Sequence, residues 1–178
     1  MKKMRPRKLA ATVAAVAATA VSVLAFPCPA NALASAVKPQ AVTYYQYKNY
    51  FTGKCLAARG QSNGSAVQQM TCDGSVSQQW TARATGGGYF QLAVANSGKC
   101  MEVKNSGQNS NDIVQLSDCN TGYNQQWIQQ TSTHANYVRL AARHSGNCLQ
   151  PLGESMADGV QQVQYVCYTA WSQEWNIS

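Results

Sequence analysis

The sequence predicts an all-β fold built from three similar blocks. Gln-x-Trp occurs three times, ending at Trp80, Trp127 and Trp175, and each tryptophan stands eight residues beyond a cysteine. Short alternating apolar and polar runs, broken by Gly, Asn and Ser, indicate β-strands and tight turns. After residue 43 no sustained apolar stripe of helical period occurs. A repeat of about 45 residues indicates one supersecondary unit used three times.

The first 34 residues are typical of a secretory signal peptide. Five cations in "MKKMRPRK" precede an uncharged run from Leu9 to Phe26, and small residues follow it. We expect cleavage after Ala34, with the site after Ala32 as second choice, and therefore a secreted, extracellular protein. An uncleaved membrane anchor is the alternative, because eighteen apolar residues come close to spanning a bilayer. The many Ala and Thr residues in the run, and the cleavage motifs after it, favour no membrane insertion.

The mature chain carries little net charge. Five of the fourteen Lys and Arg residues lie in the signal peptide, which leaves nine cations against seven acids, a net charge of +2. A net charge this small does not indicate a nucleic-acid-binding surface. Residues 35–43 contain Pro and have no counterpart in the repeats, so a flexible lead is predicted there. The remaining length, 44–178, suits one domain.

Each block follows the same order of elements. An aromatic-rich strand ("YYQY", "YFQL" and "YVRL") leads to a Gly-containing turn and the first cysteine, and a polar loop leads to a strand that ends in the second cysteine. Roughly four short strands in each block give about twelve. Three four-stranded blades are too few for a usual propeller, so we predict a β-trefoil, in which six hairpins form a barrel with a triangular cap. The blocks are named lobe alpha (44–88), lobe beta (89–136) and lobe gamma (137–178).

Six cysteines in the mature chain predict three disulfides, one inside each lobe. An even number of cysteines on an exported chain favours disulfides, and their equivalent placement in the repeats selects one of the fifteen possible pairings. The predicted bridges are Cys55–Cys72, Cys100–Cys119 and Cys148–Cys167, while Cys28 leaves with the signal peptide. Zinc would need closely spaced ligand pairs, with only His134 and His144 to assist, so we expect no metal and no other cofactor.

These features resemble the ricin B-chain type lectins. Three Gln-x-Trp motifs, each following a strand like "IVQLSDC", carry the resemblance over nearly the whole mature chain, from about Tyr44 to Ser178. The resemblance implies a β-trefoil. Symmetry would bring the motif tryptophans into one core, and the motif glutamines would bond backbone groups of the adjoining turn. These residues are Gln78, Trp80, Gln125, Trp127, Gln173 and Trp175.

The resemblance also implies a sugar site on each lobe. In such a site an acid two residues after the first cysteine accepts hydrogen bonds from adjacent hydroxyls. A Gln four residues before the second cysteine and an Asn beside the motif Gln add further bonds. An aromatic residue two before the second cysteine stacks on the sugar. Lobe beta matches best, with Glu102, Gln115, Asn124 and Gln125, but it has Ser117 in place of the aromatic.

The other two lobes depart further from this pattern. Lobe alpha keeps only the Gln, and its four positions hold Ala57, Gln68, Met70 and Ser77. Lobe gamma keeps only the aromatic, and its four positions hold Gln150, Val163, Tyr165 and Ser172. Trp171 is close to the lobe gamma site in sequence and fits either a stacking platform or loop packing. Tyr165 is therefore the candidate binding residue of lobe gamma.

The sequence thus predicts a secreted, non-catalytic carbohydrate-binding protein whose partner is a glycan or polysaccharide. A protein-binding trefoil, acting as a subunit of a secreted assembly with a secreted protein partner, is the alternative, because two of the three pockets are degraded. Glycoside hydrolysis needs two converging carboxyl groups. The seven acids are scattered singly over the repeats, and no nucleophile and base occur together, so we expect no enzymatic activity.

Overall fold

The structure is a computed structural model that describes residues 41–178. The predicted signal peptide, both cleavage sites, Cys28 and residues 35–40 of the predicted lead lie outside these residues. Residues 41–44 are exposed or half-exposed and belong to no strand. Within residues 41–178, no helix is long and apolar enough to span a bilayer.

Twelve strands, four in each lobe, form the described part of the chain. They are β1 (Tyr47–Asn49), β2 (Cys55–Ala58), β3 (Val67–Met70), β4 (Trp80–Gly86), β5 (Tyr89–Val94), β6 (Cys100–Val103), β7 (Val114–Ser117), β8 (Trp127–Thr131), β9 (Tyr137–Ala142), β10 (Cys148–Pro151), β11 (Gln162–Tyr165) and β12 (Glu174–Ile177). Short 3₁₀ turns join some of them, at Val76–Gln78, Lys104–Ser106, Tyr123–Gln125, Leu152–Glu154 and Trp171–Gln173. The all-β prediction is confirmed.

Six of the strands close into a barrel. Antiparallel pairing runs from β1 through β12, β9, β8 and β5 to β4. Tyr45 and Trp80 complete the ring, because their backbone groups exchange hydrogen bonds of 2.8 and 2.9 Å just ahead of β1. This single residue pair joins the two ends of the strand order, while the rest of β4 pairs only with β5.

Three hairpins form the cap at one end of the barrel. These are β2–β3, β6–β7 and β10–β11, one from each lobe. Isolated bridges join them in a triangle, at Ala66–Gln115, Gln68–Gln161 and Ile113–Val163. The threefold β-trefoil predicted from the repeats is therefore confirmed.

The motif tryptophans lie in one core beneath the cap. Trp80, Trp127 and Trp175 are each 0 % exposed and belong to the same apolar cluster. Each indole N–H donates to a backbone carbonyl of its own lobe's cap hairpin, at distances of 3.0 to 3.2 Å. A buried indole needs such a partner, so each tryptophan fills the core and also ties barrel to cap.

Each lobe holds one disulfide, at the predicted pairing. Cys55–Cys72, Cys100–Cys119 and Cys148–Cys167 close loops of 17, 19 and 19 residues. The first cysteine of each pair opens a cap strand and the second follows that strand's hairpin partner, so each bridge fastens the open end of one hairpin. In the chain-entropy model, a loop of this length contributes about 3 kcal/mol.

The motif glutamines hold the turns that follow the cap hairpins. Gln125 Oε1 accepts the backbone N–H of Asn120 at 2.9 Å, and its Nε2 donates to the carbonyl of Asp118 at 2.9 Å. Gln78 and Gln173 make the same pair of bonds in their own lobes. These groups would otherwise be unpaired in an irregular turn, which explains why the motif recurs in every lobe.

Candidate functional site

The candidate site of lobe beta begins with two facing side chains of the cap. Glu102 in β6 pairs directly with Gln115 in β7, so both side chains stand on the same face of the hairpin. Gln115 Nε2 donates to Glu102 Oε1 at 2.9 Å. Glu102 is only 8 % exposed.

The turn at Tyr123–Gln125 brings two more amides to the same carboxylate. Gln125 Nε2 donates to Glu102 Oε2 at 3.0 Å, and Asn124 Nδ2 donates to the same oxygen at 3.3 Å. A Cβ at residue 122 would lie 2.6 Å from Asn124 Oδ1, so a side chain there would require the Asn124 amide to move. The four residues predicted for lobe beta are therefore brought together in one hydrogen-bonded network.

The network leaves room for a hydroxyl donor. A carboxylate has about four acceptor positions, and three of those on Glu102 are occupied by amides. The remaining position is on Oε1, and the 3.3 Å bond from Asn124 is long enough to be exchanged for a ligand bond. No group of three or more His, Cys, Asp or Glu side chains within residues 41–178 could hold a metal ion. The arrangement suits a neutral, hydroxyl-rich ligand.

An exposed aromatic residue, Tyr123, precedes Asn124 of this network in the chain, although Ser117 does not supply an aromatic ring. Tyr123 is 55 % exposed. The guanidinium carbon of Arg143 lies 3.9 Å from the centre of the Tyr123 ring and 4.5 Å from that of Tyr89. The repeat pattern does not single out Tyr123, because Arg143, which packs on its ring, belongs to lobe gamma. Its position next to Asn124 in "YNQQW" is the signal that could have pointed to it.

Lobe alpha has no comparable site. Ala57 is buried where lobe beta has its acid, and Ser77 bonds the hydroxyl of Ser75 at 2.9 Å instead of reaching the cap. Gln68 is nearly buried, and Met70 is half-buried. Without a charged acceptor, these positions cannot reproduce the lobe beta network.

Lobe gamma uses its corresponding positions internally. Gln150 is buried and accepts a 2.9 Å hydrogen bond from Gln173 Nε2, while Val163 lies fully buried opposite it on β11. Tyr165 is half-buried, and its ring lies 5.9 Å from that of Tyr168 in an edge arrangement. The structure therefore does not place Tyr165 beside an acid at the expected position.

A buried carboxylate stands inside the third motif, where the other lobes have glutamine. Glu174 is fully buried and accepts hydrogen bonds from Thr133 Oγ1 at 2.7 Å and from the ring Nδ1 of His134 at 2.5 Å. Burial alone raises the pKa of Glu174, but hydrogen bonds from Ser132, Thr133 and His134 outweigh it and lower the pKa to about 2. The carboxylate is thus ionised at neutral pH and fixes the orientation of the His134 ring.

Solved structures with this architecture include designed and natural proteins. The designed threefold symmetric protein ThreeFoil is 32 % identical, with a TM-score of 0.73, over 75 % of this chain and 96 % of that one. An exo-β-1,3-galactanase from Clostridium thermocellum is 28 % identical, with a TM-score of 0.74, over 78 % of this chain. The matched region is 30 % of the galactanase, so this chain resembles one part of that enzyme. The Macrolepiota procera ricin B-like lectin in complex with lactose, at 16 % identity and a TM-score of 0.67, shares the fold over 79 % of this chain and 98 % of its own.

A family model gives the assignment. The model for ricin-type β-trefoil lectin domain-like sequences matches residues 35–117 and 123–178, which is most of the chain. Among curated proteins no significant sequence match was found. With its twelve strands, three motif tryptophans in one core and the family match, the chain belongs to the ricin-type β-trefoil lectin family.

Proposed function

We propose that the mature chain is a secreted, non-catalytic carbohydrate-binding protein whose main site is the Glu102 network of lobe beta. The observation that carries the proposal is the convergence of three side-chain amides on one nearly buried carboxylate. Membership of a lectin family supports carbohydrate binding in general. The residue assignment rests on the geometry of lobe beta.

The chemistry of the network suits sugar hydroxyls. A hydroxyl can donate to the open position on Glu102 and accept from an amide N–H, so one sugar ring can bond to several members of the network. Hydrogen bonds to a charged acceptor are stronger than neutral ones. The exposed Tyr123 ring, next to Asn124 in the chain, offers an apolar surface for the C–H face of the sugar.

Secretion and the absence of catalysis are both parts of the proposal. Three disulfides suit an oxidising, extracellular environment. Hydrolysis by paired carboxyl groups requires two acids at a defined separation, whereas Glu102 is surrounded by amides. A single shallow site binds weakly, so useful binding requires a polymeric ligand or more than one site.

Galactose-containing saccharides are the first ligands to test. The solved Macrolepiota procera lectin holds lactose, which contains galactose, and the Clostridium thermocellum enzyme is named as a β-1,3-galactanase. The galactanase is the more informative of the two, because its identity to this chain is higher. We therefore propose lactose and β-1,3-linked galacto-oligosaccharides as the initial panel, within a broad glycan array.

The decisive variant is Glu102→Gln, measured by isothermal titration calorimetry. Lobe gamma already has a glutamine, Gln150, at this position, and it accepts a bond from its motif glutamine. The variant should therefore fold normally. Loss of the charged acceptor removes roughly 1.5–3 kcal/mol of binding energy, so affinity should fall about tenfold or more at this site. Asp73→Asn, which removes a charge from an exposed loop of lobe alpha, is the control and should bind like the wild type.

Two results would contradict this assignment. Equal affinity of Glu102→Gln and the wild type would remove lobe beta as the main site. Failure of the wild type to bind any glycan on the array, together with co-purification of a defined secreted protein, would favour the protein-binding alternative.

A further inference from the structure

The loop between β2 and β3 contains an Asn-Gly pair, Asn63–Gly64, and the sequence has no other. Both residues are exposed, and they form the middle of a β-turn in which the Ser65 N–H donates to the carbonyl of Ser62 at 3.0 Å. Gly64 has φ of 82°, and a Cβ placed on it would have no neighbour within 4 Å. The turn therefore requires glycine for its backbone conformation and not for close packing.

Asn-Gly is the residue pair in which an asparagine side chain reacts most readily with its own backbone. The Gly64 nitrogen loses its proton and bonds to Asn63 Cγ, while the bond from Cγ to Nδ2 breaks and the side-chain nitrogen leaves as ammonia with that proton. Water then opens the resulting five-membered imide at either carbonyl, which leaves aspartate or isoaspartate at residue 63. Glycine favours the first step because no side chain shields its nitrogen. Water is the sole co-reactant, and no atom is oxidised or reduced.

Three hydrogen bonds of 2.8 Å hold this loop on lobe beta and engage both reacting nitrogens. The Gly64 N–H donates to the carbonyl of Leu116, and the Leu116 N–H donates to the carbonyl of Ser65. Asn63 Nδ2 donates to Asp118 Oδ2. The attacking nitrogen and the leaving nitrogen are thus both bonded to lobe beta, so the reaction requires local opening of the loop.

The product at residue 63 no longer fits this junction. Asp118 also accepts a 2.6 Å bond from the Lys99 ammonium, and the bonds from Asn63 and Lys99 lower the pKa of Asp118, so it is ionised at neutral pH. A carboxylate at residue 63 cannot donate a hydrogen bond and carries the same charge as Asp118. Isoaspartate also adds one methylene to the backbone, so the backbone bonds to Leu116 lose their register.

We propose that Asn63 is a site of spontaneous deamidation, which proceeds through opening of the lobe alpha loop from β7 and then weakens this junction. The native contacts slow the reaction, and the new carboxylate makes the opened form more frequent. The junction includes the Ala66–Gln115 bridge, one of the three that join the cap hairpins. Residue 63 therefore records the age of the protein as one added negative charge in the cap.

Peptide mapping by mass spectrometry measures the modification after incubation of the folded mature protein in mildly alkaline buffer, which favours loss of the Gly64 proton. The peptide that contains residue 63 should gain the mass expected when an acid replaces an amide, and isoaspartyl methyltransferase should label it. The reduced chain in urea should react at least about tenfold faster, because the hydrogen bonds of the junction no longer restrain the loop. The control Asn63→Gln should stay unmodified, because its longer side chain would have to form a six-membered ring.

Two further variants test the contacts of the junction. Asp118→Ala removes the acceptor of the side-chain amide and should speed modification of the folded protein about two- to fivefold. Asn63→Asp places the carboxylate of the product in the loop and should speed hydrogen exchange of the Gly64 and Leu116 amides by about the same factor. Adding Asp118→Asn to Asn63→Asp gives the new carboxylate an amide donor and should restore slow exchange.

Three results would overturn the assignment. The first is an unmodified Asn63 in the folded protein after incubation for many half-lives of the unfolded chain. Equal rates in the folded and unfolded chains would show that the junction does not restrain the loop. Unchanged exchange of both amides in Asn63→Asp would show that the carboxylate does not weaken the junction.

Discussion

Gln162 should lower the stability of the fold, and its replacement by valine should raise it. The side chain is fully buried in β11, and neither its Oε1 nor its Nε2 has a hydrogen-bond partner among residues 41–178. Lobes alpha and beta have valines, Val67 and Val114, at the equivalent position, and both are fully buried. A buried polar group without a partner costs roughly 1–3 kcal/mol. Glutamine and valine have similar volumes, so Gln162→Val should recover most of this cost without opening a cavity.

Urea unfolding with the disulfides intact measures the effect. Gln162→Val should raise the free energy of unfolding by about 1–3 kcal/mol with an unchanged m-value, and the melting temperature by roughly 3–4 °C per kcal/mol. Gln164→Leu is the matched control. Gln164 is equally buried, but its Oε1 accepts a hydrogen bond from the Ser145 hydroxyl at 2.7 Å, and its Nε2 donates to the carbonyls of Gly107 and Asn109 at 2.9 and 3.0 Å. The free energy of unfolding of this control should be roughly 1–3 kcal/mol lower than that of the wild type, because the substitution leaves its buried hydrogen-bond partners unpaired. An unchanged or reduced stability of Gln162→Val would refute the reasoning.

Three further predictions concern acid stability, one disulfide and one lobe junction. The pKa of Glu174 in the folded protein is about 2 against an ordinary 4.5, so its ionised form stabilises the fold above pH 4.5 and this contribution disappears as the pH falls towards 2. The free energy of unfolding of the wild type should fall by about 1–3 kcal/mol between pH 7 and pH 2. In Glu174→Gln most of this fall should be absent. Replacing Cys100 and Cys119 by serine should cost about 3 kcal/mol in the same assay, and a loss below about 1 kcal/mol would contradict the loop-entropy account. Arg143→Met should lower the free energy of unfolding by about 1–2 kcal/mol, because it removes both ring contacts and the 2.6 Å bond to Gln126. Unchanged stability of this variant would show that the contacts of Arg143 do not stabilise the junction between the lobes.

Local spacing predicted the features that lie within a single lobe. Each disulfide joins cysteines 17 or 19 residues apart, and Glu102 and Gln115 face each other across one hairpin. Asn124 and Gln125 follow in the next turn of the same lobe. Because these contacts depend on one hairpin and one turn, the repeated pattern of residues was sufficient to place them together.

The second residue of the Gln-x-Trp motif shows what spacing alone left open. Gln126 bonds Arg143 of the next lobe, and Glu174 bonds His134 at the junction preceding its own lobe. The sequence gives no sign of either pairing, since the partners belong to different repeats and meet only when the barrel closes.

The sequence by itself determined the threefold repeat, the disulfide pairing and the residues of the lobe beta network. Only the tertiary structure decided which side chains from neighbouring lobes complete the surface around each lobe. Phe51 and Tyr50 of lobe alpha reach a cavity and the Trp171 indole of lobe gamma, although more than 100 residues separate them from Trp171. Closure of the barrel makes the first and last strands neighbours, through the pairing of β1 with β12. Such contacts depend on the path of the whole chain, because hydrophobic periodicity specifies the buried face of a strand but not the lobe that lies beside it.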